Sequence, residues 1–171
     1  MRDNNFQLTR KGLAHVNLTL QQAKISDAEQ ILKMQVAAFS PMLEKYQDYD
    51  ISPAAESIDR VRERFKYFSI SQYFILKDCE KIGVIRIRKL DEDVYKLVQI
   101  FVLPRFQNNG YAQQAIALSE ELFPKIRRWE LETIKQEKKL CYLYEKLGYT
   151  LAGQEKNVKD GMDLVFYQKI L

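Results

Sequence analysis

The sequence predicts a mixed α/β fold, a mostly antiparallel sheet of about seven strands flanked by about four helices, with one parallel pair at its centre. Three observations carry that expectation. Apolar residues recur at helical spacing in some segments and at a spacing of two in others, in the order β-α-α-β-β-β-α-β-α-β-β. Residues 94–103 are apolar on both faces for most of their length, as in a central strand covered from each side. A helix and a further strand follow that run, the pattern of a right-handed crossover between parallel neighbours.

Residues 1–15 are polar and without period and are expected to form a loose arm, so that the domain spans 16–171. Val16-Asn17-Leu18-Thr19-Leu20 alternates like a half-buried strand. Ser26 and Glu29 make a capping-box pattern, and Ala28, Ile31, Leu32, Ala38, Phe39, Met42 and Leu43 follow at helical spacing. Pro41 is expected to end or kink that helix. Ser52-Pro53 offers an N-cap and a first-turn proline to a second helix, whose apolar face would carry Ile58, Val61, Phe65 and Phe68. The period then becomes two over residues 73–76, 82–90 and 94–103, predicting three antiparallel strands joined by polar turns. Past Gly110, the residues Ala112, Ala115, Ile116, Ser119, Leu122 and Phe123 mark a third helix that Pro124 breaks. Residues 129–134 read as the parallel strand and 139–147 as a short helix stopped at Gly148. Residues 149–154 and 162–170 form a hairpin across Lys159-Asp160-Gly161.

Composition narrows the function. With 46% hydrophobic and 29% charged residues and only 6 Gly and 4 Pro, the chain is neither disordered, collagenous nor a tandem array. No window approaches the roughly 20 apolar residues of a membrane span, and the polar start lacks an apolar signal region, so a cytoplasmic protein without a membrane partner is expected. Cys79, Cys141 and the single His15 cannot supply a zinc site of ordinary spacing, so no metal is expected. Lys and Arg exceed Asp and Glu by 27 − 23 = 4, and the basic residues are interleaved with acids, which speaks against nucleic acid yet suits an anionic ligand.

Such a ligand has an obvious place. Residues 102–112, Val-Leu-Pro-Arg-Phe-Gln-Asn-Asn-Gly-Tyr-Ala, run from a buried strand through a polar turn into a helix whose first residues are small. That junction presents free backbone N–H groups and the positive end of a helix to one point, an anion site. Gly110 and Ala112 keep side chains out of the way of a phosphate. By itself Gly110 also fits any strand-to-helix turn.

The pattern Gln107-x-x-Gly110-x-Ala112 resembles the Q/R-x-x-G-x-G/A signature of the GNAT superfamily of N-acetyltransferases. Leu143-Tyr144-Glu145-Lys146-Leu147-Gly148-Tyr149 is similar to a second segment of that superfamily, and the order of elements agrees from Val16 to the C-terminus. The resemblance implies a central strand that bulges and splays from its parallel neighbour, with acetyl-coenzyme A (acetyl-CoA) bound in the opening and no covalent enzyme intermediate. It implies that Gln107, Asn108, Asn109, Gly110, Tyr111, Ala112 and Gln113 surround the pyrophosphate. Ile100, Phe101 and Val102 would pair their backbone with the pantetheine arm, an N–H near Ile100 polarising the acetyl carbonyl.

Tyr144 corresponds to the residue that serves many members as general acid toward the departing thiolate, although its helical face would suit a core tyrosine equally. The glutamate that several members use as base is replaced by Lys96. Glu132, near the C-terminal end of the parallel strand, is the candidate base or amine anchor. Glu137 and Leu140 stand where many relatives carry Asn and Ala. The family selects its acceptor with the segment between the first two helices, here about Phe39 to Ser57, where Phe39 and Tyr46 are the expected contacts and Asp48, Tyr49 and Asp50 add carboxylates and a ring suited to an ammonium. The expected partners are acetyl-CoA and an amine acceptor, with a homodimer allowed. A non-catalytic acyl-CoA-binding or sensor module is the alternative, motivated by Lys96.

Overall fold

The computed structural model describes residues 18–171, so the expected arm and the start of the first strand at Val16 lie outside the described residues. Seven strands form one sheet. β1 (Leu18–Gln22), β2 (Ile70–Lys77), β3 (Glu80–Lys89), β4 (Val94–Val102), β5 (Arg128–Ile134), β6 (Thr150–Lys159) and β7 (Met162–Ile170) lie in the order β1-β2-β3-β4-β5-β7-β6. Every neighbouring pair is antiparallel except β4 with β5, which the crossover through α3 (Tyr111–Leu122) makes parallel. The mixed α/β fold expected from the order of elements is the fold observed.

Two apolar layers hold the sheet. On one face α3 and α4 (Lys138–Lys146) bury Ile116, Leu118, Trp129, Leu131 and Tyr149. On the other, α1 (Ala28–Tyr46) and α2 (Ile58–Glu63) bury Ile31, Val61, Phe74 and Phe101. Each such side chain removed from water contributes about 1.5–3 kcal/mol, which is why β4, flanked by both layers, has no solvated face over most of its length. β6 forms one edge and is exposed along nearly all its length.

The helix signals need three corrections. Ser26 does not cap α1: a 3-10 turn, Ile25–Asp27, precedes the helix, and Lys24 donates its N–H to Asp27 Oδ2 at 2.8 Å, while Glu29 turns outward to Arg62 at 3.0 Å. Pro41 does not end α1, which continues to Tyr46 because its last turn is held by side chains from α4 and the β6–β7 hairpin. Ser52 caps only a 3-10 turn, Pro53–Ala55, and the second helix starts six residues later at Ile58 with Ser57 Oγ accepting from the Arg60 N–H at 3.3 Å. Since α2 stops at Glu63 and a 3-10 turn follows, the helical phase is lost and Phe68 is fully exposed instead of packed.

β3 and β4 approach closely at Gly83, which pairs with Val102. A Cβ there would lie 2.2 Å from the Phe101 carbonyl oxygen and 3.1 Å from Val102 Cα. Gly83→Ala is expected to destabilise the protein by about 1–3 kcal/mol and lower Tm by several degrees. Thermal unfolding followed by circular dichroism checks this, and an unchanged Tm would contradict the close packing of the two backbones.

Candidate active site

The site begins with a mismatch of one residue. Arg86 pairs with Gln99 but Ile87 pairs with Leu97, so Val98 is an extra residue in β4. β4 pairs with β5 only from Val94 with Arg128 to Leu97 with Leu131. Beyond Leu97, β5 stays with β7 and β4 stays with β3, and the two parallel strands part. The β4 backbone from Val98 to Val102 therefore has a free edge on the side of β5.

That edge faces a groove of about 530 Å³. Ile100, Phe101, Val102, Gln107, Asn108, Gly110, Tyr111, Ala112 and Gln113 all line it, so nine of the ten expected cofactor residues converge on one surface. Asn109 is the tenth and lies outside the lining, its side-chain amide donating to the carbonyls of Phe106 and Gln107 at 3.2 and 2.8 Å. Gly110 takes the left-handed conformation, φ 75°, as N-cap of α3. The first helical bond is from the Gln114 N–H to the Gly110 carbonyl at 3.1 Å, which leaves the N–H groups of Tyr111, Ala112 and Gln113 without a helical acceptor. Gln107 differs from them: its backbone N–H goes to Pro104 at 3.2 Å and its side-chain amide to the Val102 carbonyl at 2.9 Å, tying the loop to the end of β4.

A second cavity, of about 190 Å³, lies between the parted strands. Phe39, Met42, Ile100 and Leu140 belong to the walls of both, so the groove and the cavity adjoin. Tyr144 and Glu132 line the cavity, as do the expected acceptor residues Phe39 and Tyr46. Phe39 also meets Phe101 edge-on, with ring centroids 5.5 Å apart. Glu132 is ion-paired, its Oε2 lying 3.0 Å from Lys96 Nζ, so Lys96 holds one of the two carboxylates that line the cavity, Asp48 being the other. Tyr144 is buried among Tyr149 and Tyr167. It thus sits in the core and in the cavity wall at once. Cys141 is buried on the inner side of α4 and lines neither space, its thiol directed at the Ile134 carbonyl at 3.8 Å.

Glu137 and Leu140 both line the groove. Glu137 Oε1 accepts from Lys45 Nζ and from the Tyr46 hydroxyl, each at 2.6 Å, tying α4 to the end of α1. Partial burial works against its carboxylate, but the hydrogen bonds from Lys45 and Tyr46 outweigh that and hold its pKa below the ordinary value. Tyr46 thus lines the cavity while its hydroxyl donates to Glu137.

Two polar residues of this region carry no expectation from the sequence, Gln99 and Gln35, whereas Asp48 belongs to the segment expected to suit an ammonium. Gln99 and Asp48 line the cavity. Gln35 lies behind it, fully buried, and accepts from the Gln99 side-chain amide at 3.2 Å. The available signal was a polar residue on an apolar face, Gln99 within Val98-Gln99-Ile100 and Gln35 four residues after Ile31.

The family model described as the acetyltransferase (GNAT) family matches residues 30–149. The chain belongs to that family. Solved GNAT structures share its fold at low sequence identity. An acetyltransferase from Salmonella typhimurium that modifies the N-terminal serine of ribosomal protein L7/L12 superposes with a TM-score of 0.72 at 16% identity, over 90% of this chain and 95% of that one. The microcin C7 self-immunity acetyltransferase, solved with acetyl-CoA and AMP, gives 0.69 at 18% over 90% and 92%. The dodecameric spermidine N-acetyltransferase from Vibrio cholerae gives 0.67 at 16% over 90% and 93%. No curated protein matches the sequence. Among the described residues no cluster of His, Cys, Asp and Glu could hold a metal ion, and no helix is long and apolar enough to cross a membrane.

The tyrosines beside the cavity make a prediction about pH. Burial pushes the Tyr144 phenol well above its ordinary pKa, and the Cys141 thiol adds in the same direction. Tyr149 is raised too, by burial and by the Glu120 carboxylate to which its hydroxyl donates at 2.9 Å. In an unfolded chain both would ionise near pH 10. Their contribution to stability is therefore complete below about pH 10 and is lost as pH rises further, because the unfolded chain releases protons that the folded chain retains. Tyrosinate absorbance measured alongside circular dichroism should show part of the tyrosines ionising only as the fold is lost. Ionisation of all ten tyrosines near pH 10 in a folded protein would contradict it.

Proposed function

We propose that the chain is an acetyl-CoA-dependent N-acetyltransferase that transfers the acetyl group to a primary amine by direct attack within a ternary complex. The observation that supports this most is the free backbone of the groove, where the unpaired edge of β4 and the unpaired N–H groups of Tyr111, Ala112 and Gln113 line one surface. Free N–H groups at a helix start suit a pyrophosphate, and an unpaired strand edge suits an extended amide-bearing arm. Family membership and neighbours solved with acetyl-CoA, or named for amine substrates, point the same way.

In this reading Gln107, Asn108, Asn109, Gly110, Tyr111, Ala112 and Gln113 form the phosphate loop, and Ile100, Phe101 and Val102 align the pantetheine arm. The thioester carbonyl lies where the groove meets the inner cavity, with an N–H near Ile100 facing its oxygen. The amine nitrogen attacks the carbonyl carbon, a C–N bond forms, the C–S bond breaks, and the electron pair leaves on the coenzyme A sulfur. The nitrogen loses its extra proton to Glu132 or to water. Tyr144 faces the leaving sulfur, and because burial keeps its phenol protonated well past neutrality, its role is to hydrogen-bond the thiolate and hold the proton at its own oxygen. A non-catalytic acyl-CoA-binding module is the second reading, favoured by Lys96, which stands where several members use a glutamate as base and pairs with Glu132 at 3.0 Å. Steady-state acetyl transfer to a panel of primary amines separates them, since the module binds acetyl-CoA without turnover.

Three variants test the assignment. A Cβ at Gly110 would meet only Gln114 Nε2, at 4.0 Å, an ordinary contact, but must adopt a left-handed backbone, so Gly110→Ala measures chiefly that strain. Gly110→Glu adds a negative charge where two phosphate charges would sit, and calorimetry should show coenzyme A affinity collapsing in it but largely kept in Gly110→Ala; equal affinities would remove the loop from the phosphate site. Tyr144→Phe keeps the packing and should lower kcat by about 10- to 1,000-fold with coenzyme A affinity unchanged. Full activity would return Tyr144 to a purely structural role.

A further inference from the structure

Two residues of the inner cavity wall each carry a buried polar atom with no hydrogen-bond partner among the described residues, Gln99 Oε1 and Asp48 Oδ2. Both are acceptors. The other buried atoms without a partner, donors on Arg64, Arg86 and Trp129 and both amide atoms of Gln72, belong to residues outside that wall. Asp48 is 8% exposed; its other oxygen, Oδ1, accepts from the N–H groups of Asp50 and Ile51 at 3.3 and 3.4 Å. A carboxylate oxygen shut away from water without a donor is destabilised, a deficit that a cationic ligand removes on binding.

The orientation of Gln99 follows from a chain of bonds that allows one polarity only. Glu56 pairs with Arg64, and both side chains are largely buried. A carboxylate so held only accepts, so Gln35 must turn its amide nitrogen to it; Gln35 Nε2 lies 2.6 Å from Glu56 Oε2 and 2.6 Å from the Pro53 carbonyl. Gln35 Oε1 is thereby left for Gln99, whose Nε2 donates to it at 3.2 Å. The Gln99 oxygen is what remains. Reversing any amide in this chain would set donor against donor or oxygen against oxygen.

We propose that Arg64, Glu56 and Gln35 fix Gln99 as a hydrogen-bond acceptor, and that Gln99 and Asp48 together select a small acceptor bearing two basic nitrogens. One N–H donates to Gln99 beside Ile100, and a second, cationic nitrogen is matched by Asp48. Gln99 and Asp48 are specificity residues and Gln35 is a positioning residue. This rests on the acetyltransferase reading for its choice of ligand, but the cavity's demand for donors stands apart from turnover.

The test is calorimetry of the full chain with coenzyme A present, using 1,3-diaminopropane, 1,4-diaminobutane and 1,5-diaminopentane against butylamine and 4-aminobutanoate. At least one diamine should bind about tenfold or more tightly than butylamine, and 4-aminobutanoate most weakly. Asp48→Asn keeps the shape and should weaken that diamine by about 10- to 100-fold, to near the level of butylamine, and Gln99→Met should weaken it by about 2- to 10-fold. Gln35→Met frees the Gln99 amide to turn, so diamine binding should weaken while 4-aminobutanoate binding tightens. A merely structural role for Gln35 would weaken both. Coenzyme A affinity, measured in each variant, reports that the fold is kept. No diamine preference, no binding of any amine, or a preference that survives Asp48→Asn overturns the proposal. Acetyl transfer assayed on the same amines separates the two readings. Selective binding without transfer supports this inference and removes the enzyme, whereas transfer without diamine selectivity keeps the enzyme and removes this inference.

Discussion

At Val98 β4 carries one residue more than the strand it pairs with, and that mismatch governs the geometry of the whole centre. A bulged strand bends and twists more sharply than its neighbour, so a parallel partner that follows it for four residues cannot follow it further. The sheet has two good apolar layers, yet between them its middle pair opens. The opening is kept from collapse by large side chains on both sides, Phe39 and Phe101 from one layer and Leu140 and Tyr144 from the other. An unpaired strand edge inside a protein would ordinarily be a defect; beside a groove it is a row of backbone groups waiting for partners.

The electrostatics around this opening are divided in a consistent way. The groove wall is built of backbone donors and the start of a helix, while the inner wall ends in acceptors, Asp48 and Gln99. Charges that could blur this division are occupied elsewhere. Lys96 is held by Glu132, Lys45 by Glu137, and Arg64 by Glu56. Ion pairs of this kind add little stability when exposed. Here they determine which groups remain free to meet a ligand.

Much of this was legible in the sequence because the elements are strongly patterned. β4 reads as a covered central strand, the span of β7 agrees from Met162 to Ile170, and the Gln107–Gln113 loop stands out as a strand-to-helix junction with small residues. What was not legible depends on pairs. The resemblance implies a bulge in β4, but its place at Val98 exists only relative to β3, whose sequence says nothing of its register until the two are laid side by side. Pro41 looks like a stop because the residues that hold α1 together beyond it, Glu137 and Lys159, are remote in the chain. Phe68 keeps helical spacing with Phe65 and Val61 on paper, but a 3-10 turn between them shifts the phase. Gln35 and Gln99 are each an isolated polar residue in an apolar run, and their meaning appears only when they meet across 64 positions.

The end of α1 has a consequence for how the chain reaches its final form. Lys159 Nζ donates to the carbonyls of Tyr46 and Gln47 at 2.8 and 3.3 Å, and Glu137 holds Lys45 and Tyr46. Residues 39–47 thus emerge from the ribosome early and wait for the penultimate strand before their last turn is secured. Contacts of such long sequence separation close late, after the loop between them has been ordered. The phosphate loop and its strand are neighbours in the chain, whereas the end of α1 is secured only once residues 137 and 159 reach it, so a C-terminally clipped chain would lose a support of the acceptor side before any of the donor side.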